Sequence, residues 1–98
     1  MTTAATLSLD QLLATYEQNN PNSKQLFERA QDILPGGNTR TGTFFAPFPI
    51  YIERGEGPYL VDADGHRLVD FVNNQTALIL GHAHPDVVRG LQEQTAKG

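Results

Sequence analysis

Arg40 has the strongest claim to chemistry in this sequence. It stands in an irregular stretch just after the Pro35-Gly36-Gly37 break and beside the aromatic run Phe44, Phe45 and Phe48. A guanidinium is a planar fork that holds a carboxylate through two parallel hydrogen bonds, so an arginine in an apolar loop suits an acidic substrate. A solvated surface arginine is the plainer reading of the same position. His82-Ala83-His84 offers two imidazoles to a metal, yet His66 falls at a turn and no His-Glu-x-x-His spacing supplies further ligands. In the plainer reading His84 shapes the start of a helix and His82 hydrogen-bonds locally. Asp62-Ala63-Asp64-Gly65 has the acidity of a calcium loop, but its glycine follows the second aspartate directly, which is not EF-hand spacing. Gly55-Glu56-Gly57 lies between two strands and so offers a phosphate no helix N-terminus. Lys24 and Lys97 both fall on amphipathic helices and face solvent. No nucleophile, base and orienting group can be assembled, and the residues by themselves leave the function open.

The elements that position these residues centre on Pro58–Phe71, which reads as a β-hairpin. Asp64-Gly65 suits a two-residue type I′ turn, whose central positions both need positive φ. That turn sets Ala63 opposite His66, Asp62 opposite Arg67, Val61 opposite Leu68 and Leu60 opposite Val69, with an ion pair from Asp62 to Arg67 near the tip. Apolar pairs then occupy both faces, and such a ribbon needs cover on each side. Ile50–Arg54 alternates like a strand, and Gly55–Gly57 joins it to the hairpin as a three-stranded antiparallel meander. Before the sheet, Ser8-Leu9-Asp10-Gln11 forms a capping box, and Leu9, Leu12, Leu13 and Tyr16 give residues 8–19 a helical stripe. A second helix spans 22–34, with Leu26, Phe27, Ala30, Ile33 and Leu34 on one face, and stops at Pro35-Gly36-Gly37. The loop from Asn38 to Pro49 is too apolar to be solvated, so its phenylalanines pack on the core or line a pocket. Residues 72–81 begin polar, become apolar and have no clear period. His84-Pro85-Asp86 opens a third helix, with Val87, Val88 and Leu91 as its apolar face.

Composition narrows the classes. A chain of 98 residues makes at most one small domain. The net charge of −4, with no basic cluster, excludes a nucleic-acid footprint. There is no cysteine, hence no disulfide framework, which fits a reducing, cytoplasmic compartment. Met1–Leu7 has neither the charged start nor the apolar core of a signal peptide, and no apolar run reaches the ~20 residues that span a bilayer.

Five stretches taken in order resemble a known family. They are Leu26-Phe-Glu-Arg-Ala30, Leu34-Pro-Gly-Gly37, Pro49-Ile-Tyr-Ile-Glu-Arg-Gly55, Tyr59-Leu-Val-Asp-Ala-Asp-Gly-His-Arg-Leu-Val-Asp-Phe71 and Leu80-Gly-His-Ala-His-Pro85. The run is similar to the N-terminal part of class III pyridoxal-phosphate aminotransferases, above all the glutamate-1-semialdehyde aminomutase and β-amino-acid aminotransferase branches. The resemblance covers residues 24–98. It implies an α+β segment from the small domain of a fold type I transferase: N-terminal helices, a three-stranded antiparallel meander and a C-terminal helix. Residues 1–98 are then a single N-terminal segment, with a helical arm over 1–37, a loop over 38–49, antiparallel sheet over 50–71 and loop and helix over 72–98.

The resemblance further implies pyridoxal 5′-phosphate as cofactor, amino and 2-oxo acids as substrates, and a homodimer. The cofactor lysine and the other cofactor ligands correspond to no position here, so no catalytic or cofactor-binding residue is expected in this segment. In the β-amino-acid branch an arginine shortly after the Pro-Gly break holds the substrate carboxylate, and Arg40 matches it. The aminomutase branch has a longer spacer there. Asn73-Asn74-Gln75 matches an active-site wall, which makes Gln75 the second candidate substrate-binding residue. A stand-alone interaction module that reuses the segment without catalysis is the competing class.

Overall fold

The computed structural model describes residues 6–98, so the signal-peptide reading of residues 1–5 lies outside the described residues. The chain divides into two compact units, Met1–Tyr51 and Ile52–Gly98.

In the first unit, helix α1 runs over Leu9–Asn19 and helix α2 over Pro21–Ile33. The capping box forms as expected: Gln11 N–H donates to Ser8 Oγ at 3.2 Å, and Ser8 N–H donates to Gln11 Oε1 at 2.8 Å. Asn20 ends α1 and directly precedes α2, because proline fits the first helical position, where no amide is required. Its Nδ2 donates back to the Tyr16 carbonyl at 2.8 Å, and Lys24 Nζ reaches Glu17 Oε2 at 2.8 Å across the same joint. Of the expected α2 face, Ala30 is buried, whereas Ile33 at the helix end is 75% exposed.

The loop after α2 packs through its aromatics. Phe48 is 3% exposed, its ring 5.0 Å from that of Tyr16, whose hydroxyl donates to the Phe48 carbonyl at 2.8 Å. Phe45 meets the edge of Tyr16, and Phe44 meets Phe27, yet both stay partly exposed. Aromatic pairs of this kind add about 0.5–1.5 kcal/mol each beyond their buried area. Ser23, fully buried, accepts the Tyr51 amide at 2.9 Å and fixes the end of the loop.

In the second unit, β1 (Ile52–Glu56), β2 (Tyr59–Asp62) and β3 (Arg67–Val69) form an antiparallel sheet in the order β1-β2-β3. The strand expected over 50–54 is displaced to 52–56. Tyr51 is committed to Ser23, Gly55 belongs inside the strand, and Gly57, at φ +54, takes the turn with Pro58. The register slips between Ile52 and Arg54, leaving Glu53 as a bulge.

The hairpin register also corrects the sequence reading. Leu60 pairs with Leu68, Val61 with Arg67 and Tyr59 with Val69, one residue away from the expected set. The cause is a three-residue loop, Ala63-Asp64-Gly65, in place of a two-residue one. Gly65 N–H donates to the Asp62 carbonyl at 3.1 Å, and Asp62 N–H to the His66 carbonyl at 3.1 Å. Asp at the first and Gly at the fourth position favour a type I turn, and Gly65 at φ +86 completes it as a bulged loop. The expected ion pair is replaced as well: Arg67 stacks over the Tyr59 ring at 3.6 Å, and Asp62 pairs with His66. Apolar residues still occupy both faces, with Leu60 and Leu68 on one and Tyr59, Val61 and Val69 on the other. Helix α3 (Pro85–Thr95) closes the described chain, with His84 as its cap and Pro85 at its first position. Val87, Val88 and Leu91 are all exposed.

Candidate functional site

The two expected substrate-binding residues lie in different units. Arg40 is exposed, has extended backbone (φ −144, ψ 112), and precedes a short 3-10 turn over Thr41–Thr43. Its carbonyl accepts the Thr43 amide at 3.3 Å and the Thr43 hydroxyl at 3.0 Å, so a threonine fixes the backbone that carries the guanidinium. The flanking Phe44 and Phe45 anchor the following residues to Phe27 and Tyr16.

Gln75 lies in a feature that sequence periodicity could not show. Asn73, Asn74, Gln75 and Thr76 have φ of +53, +48, +57 and +66, one turn of left-handed helix. Each non-glycine residue held this way costs about 1–2 kcal/mol, less for asparagine. The turn is closed by Ala77 N–H to the Asn73 carbonyl at 3.1 Å and Thr76 N–H to the Val72 carbonyl at 3.3 Å. Asn74 and Gln75 are exposed on it.

Asp70 anchors this turn. Its Oδ1 accepts the Val72 and Asn73 amides at 2.9 and 2.8 Å, and its Oδ2 lies 2.6 Å from His82 Nε2. The Asn73 amide first, then the His82 imidazole, hold the Asp70 carboxyl below the usual carboxylate range; loss of solvent opposes them. His82 is fixed in turn. Its backbone exchanges two hydrogen bonds with Gly57, at 2.9 and 2.8 Å. Its ring lies so close to Gly55 that a Cβ there would meet the His82 Cγ at 2.6 Å. These residues border an open cavity of about 500 Å³, with Pro58, Leu78 and Leu80 as apolar wall and Asp70, Asn73 and His82 as its polar side. The sequence signal for this cluster was Asp70 three residues before Asn73, the spacing at which an aspartate caps a turn.

The remaining candidates are held in local structure. His84 Nδ1 accepts the Asp86 amide at 3.3 Å and shapes the helix start, as in its plainer reading, whereas His82 reaches Asp70, which is not the local partner expected for it. Among the described residues no group of three or more histidines and carboxylates could hold a metal ion. Asp62 gives Oδ1 to the Asp64 and His66 amides and Oδ2 to His66 Nδ1. Burial pushes its pKa up, but these hydrogen bonds together outweigh burial and leave it lowered. Gly57 N–H is taken by His82 and is not part of a phosphate loop. Lys24 pairs with Glu17, which raises its pKa.

The sequence from Asn38 to Gly98 matches the class-III aminotransferase family. The chain belongs to that family. A glutamate-1-semialdehyde 2,1-aminomutase of Methanopyrus kandleri is 45% identical over 83 residues, which cover 85% of this chain and 19% of that protein. The structure of a β-phenylalanine aminotransferase from Variovorax paradoxus aligns with a TM-score of 0.81 at 41% identity, over 93% of this chain and 22% of that one. A transaminase with PLP bound aligns with a TM-score of 0.77 at 40% identity, over 81% of this chain and 19% of that one. The chain thus spans about a fifth of the length of these class-III aminotransferases. Among the described residues no helix is long and apolar enough to cross a membrane.

Proposed function

We propose that this chain is the N-terminal segment of a pyridoxal-phosphate aminotransferase that moves an amino group between an amino acid and a 2-oxo acid, with β-amino acids among its donors. The family match from Asn38 onward, which opens two residues before Arg40, is the observation that carries the reading. The cofactor, when bound, supplies an electron sink for cleavage at the amino-bearing carbon. The described residues do not fit its anchoring: Lys24 is engaged with Glu17 and made more basic, the opposite of an amine ready to condense with an aldehyde, and Lys97 is exposed past the end of α3. The cofactor's lysine and phosphate contacts therefore belong to the part of the family's length that this chain does not span, and residues 1–98 alone transfer no amino group.

What this segment contributes is recognition of the substrate. Arg40 grips the donor carboxylate, with Phe44 and Phe45 as apolar neighbours, and Gln75 is the second substrate-binding residue. A carboxylate in a partly dry pocket needs a charge partner, and removing one partner of such a pair costs about 2–5 kcal/mol. In the full-length enzyme, Arg40→Ala should lower kcat/KM for carboxylate-bearing donors by about one and a half to nearly four decades. Arg40→Lys should restore only part of this, because an ammonium lacks the fork. An amine donor without a carboxylate should be far less affected; equal losses for both donors would remove Arg40 from the site. The family resemblance also supports a homodimer, and the cysteine-free sequence is compatible with a cytoplasmic location. A glutamate-1-semialdehyde aminomutase is the second reading, favoured by the Methanopyrus relative. The short spacer from Gly37 to Arg40 counts against it.

A further inference from the structure

We infer that Asp70 and His82 are positioning residues, which hold the Asn73–Thr76 turn in its left-handed form so that its exposed carboxamides meet the polar head of the amino-acid substrate. The inference rests on the aminotransferase reading above. A left-handed turn without glycine persists only where its surroundings over-determine it, and such strain collects at functional sites. Here the surroundings form one continuous chain of contacts. The Gly57 backbone fixes the His82 backbone, the Gly55 surface seats the His82 ring, His82 Nε2 holds Asp70 Oδ2, and Asp70 Oδ1 holds the amides that lead into the turn. The His82 and Asp70 side chains are 19% and 7% exposed, so the clamp is shielded, while Asn74 and Gln75 are solvent-exposed. A carboxamide can donate to a carboxylate and accept from an ammonium, the two groups that every amino-acid donor carries. Asp70 and His82 act through the turn and do not touch the substrate.

The test is steady-state transamination by the full-length enzyme with pyridoxal phosphate, together with cofactor absorbance per protomer. Asp70→Ala and His82→Ala should raise the amino-donor KM roughly ten- to hundredfold, the scale on which small misplacements act, with cofactor content kept. Asp70→Asn keeps an acceptor for both amides, and His82→Gln keeps an N–H facing Asp70. Each should recover most of the loss and leave a KM rise of about threefold, which remains readable if the alanine variants do not fold. In an Asn74→Ala/Gln75→Ala background, every one of these KM effects should shrink towards none. Activity lost in proportion to folded protein with KM unchanged overturns the inference. So does a wild-type KM in both conservative variants, or an effect that multiplies in full on the turn variant. If the unaltered enzyme moves no amino group at all, the aminotransferase reading fails instead.

Discussion

Gly81→Ala adds a single methyl group at a position of the second unit where both conformation and space are restricted. Two costs combine there. Gly81 sits at φ +79, a conformation that costs an alanine about 1–2 kcal/mol. The new Cβ would also lie 2.9 Å from the Gly57 carbonyl oxygen and 3.0 Å from its carbonyl carbon. These are backbone atoms, and the two Gly57–His82 hydrogen bonds pin them. Forcing extra volume into such a contact costs about 1–3 kcal/mol. Gly65→Ala separates the two terms. Its φ is +86, yet nothing lies within 4 Å of the added methyl, so only the conformational cost applies. Hydrogen exchange at the Gly57 and His82 amides reads the result locally. Gly81→Ala should speed exchange at both by about one and a half to three and a half decades, at ~1.4 kcal/mol per decade. Gly65→Ala should leave those two amides near wild type while loosening its own turn. If Gly81→Ala changes them no more than Gly65→Ala does, the close approach of Gly81 to Gly57 is not what holds His82 in place.

Two further outcomes follow from buried polar groups. Ser23→Ala leaves the Tyr51 amide without its acceptor at a fully buried site and should destabilise the protein by about 1–3 kcal/mol; a denaturant midpoint unchanged within error would contradict it. Asp62 has a lowered pKa when folded, so the unfolded chain binds its proton first as pH falls. Its contribution is therefore complete above about pH 4 and lost below that, as pH falls through the lowered folded value. The stability gap between wild type and Asp62→Asn should narrow on acidification below pH 4, and a gap constant from pH 7 to pH 3 would show that Asp62 carries no such linkage.

What was legible in the sequence depended on the range of the interaction. The α1 capping box, the Pro85 helix start and the Pro35-Gly36-Gly37 stop are set within a few residues, and the chain adopts them as read, while α2 starts one residue earlier than expected, with Pro21 inside its first turn. The hairpin was legible as a hairpin, but its register turned on one residue of loop length. Asp62-Ala63-Asp64-Gly65 satisfies a type I turn with a bulge as readily as Asp64-Gly65 satisfies a two-residue turn, and the amides that Asp62 collects decide between them. The clamp from Gly55 through His82 to Asp70 joins residues far apart in sequence, and no periodicity announces it. The left-handed turn was hidden for a different reason: asparagine tolerates positive φ but does not require it, and for Gln75 and Thr76 local preference argues against the conformation that the surroundings impose.

Amino-group transfer is tested by following the nitrogen itself. The full-length protein, supplied with pyridoxal phosphate, a ¹⁵N-labelled β-amino acid and an unlabelled 2-oxo acid, is sampled by mass spectrometry. Label should appear in the amino acid derived from the 2-oxo acid, one for each donor converted to its oxo product. Label that never leaves the donor skeleton would contradict it: movement within that skeleton would mark a mutase, and no movement would mark a chain without this chemistry.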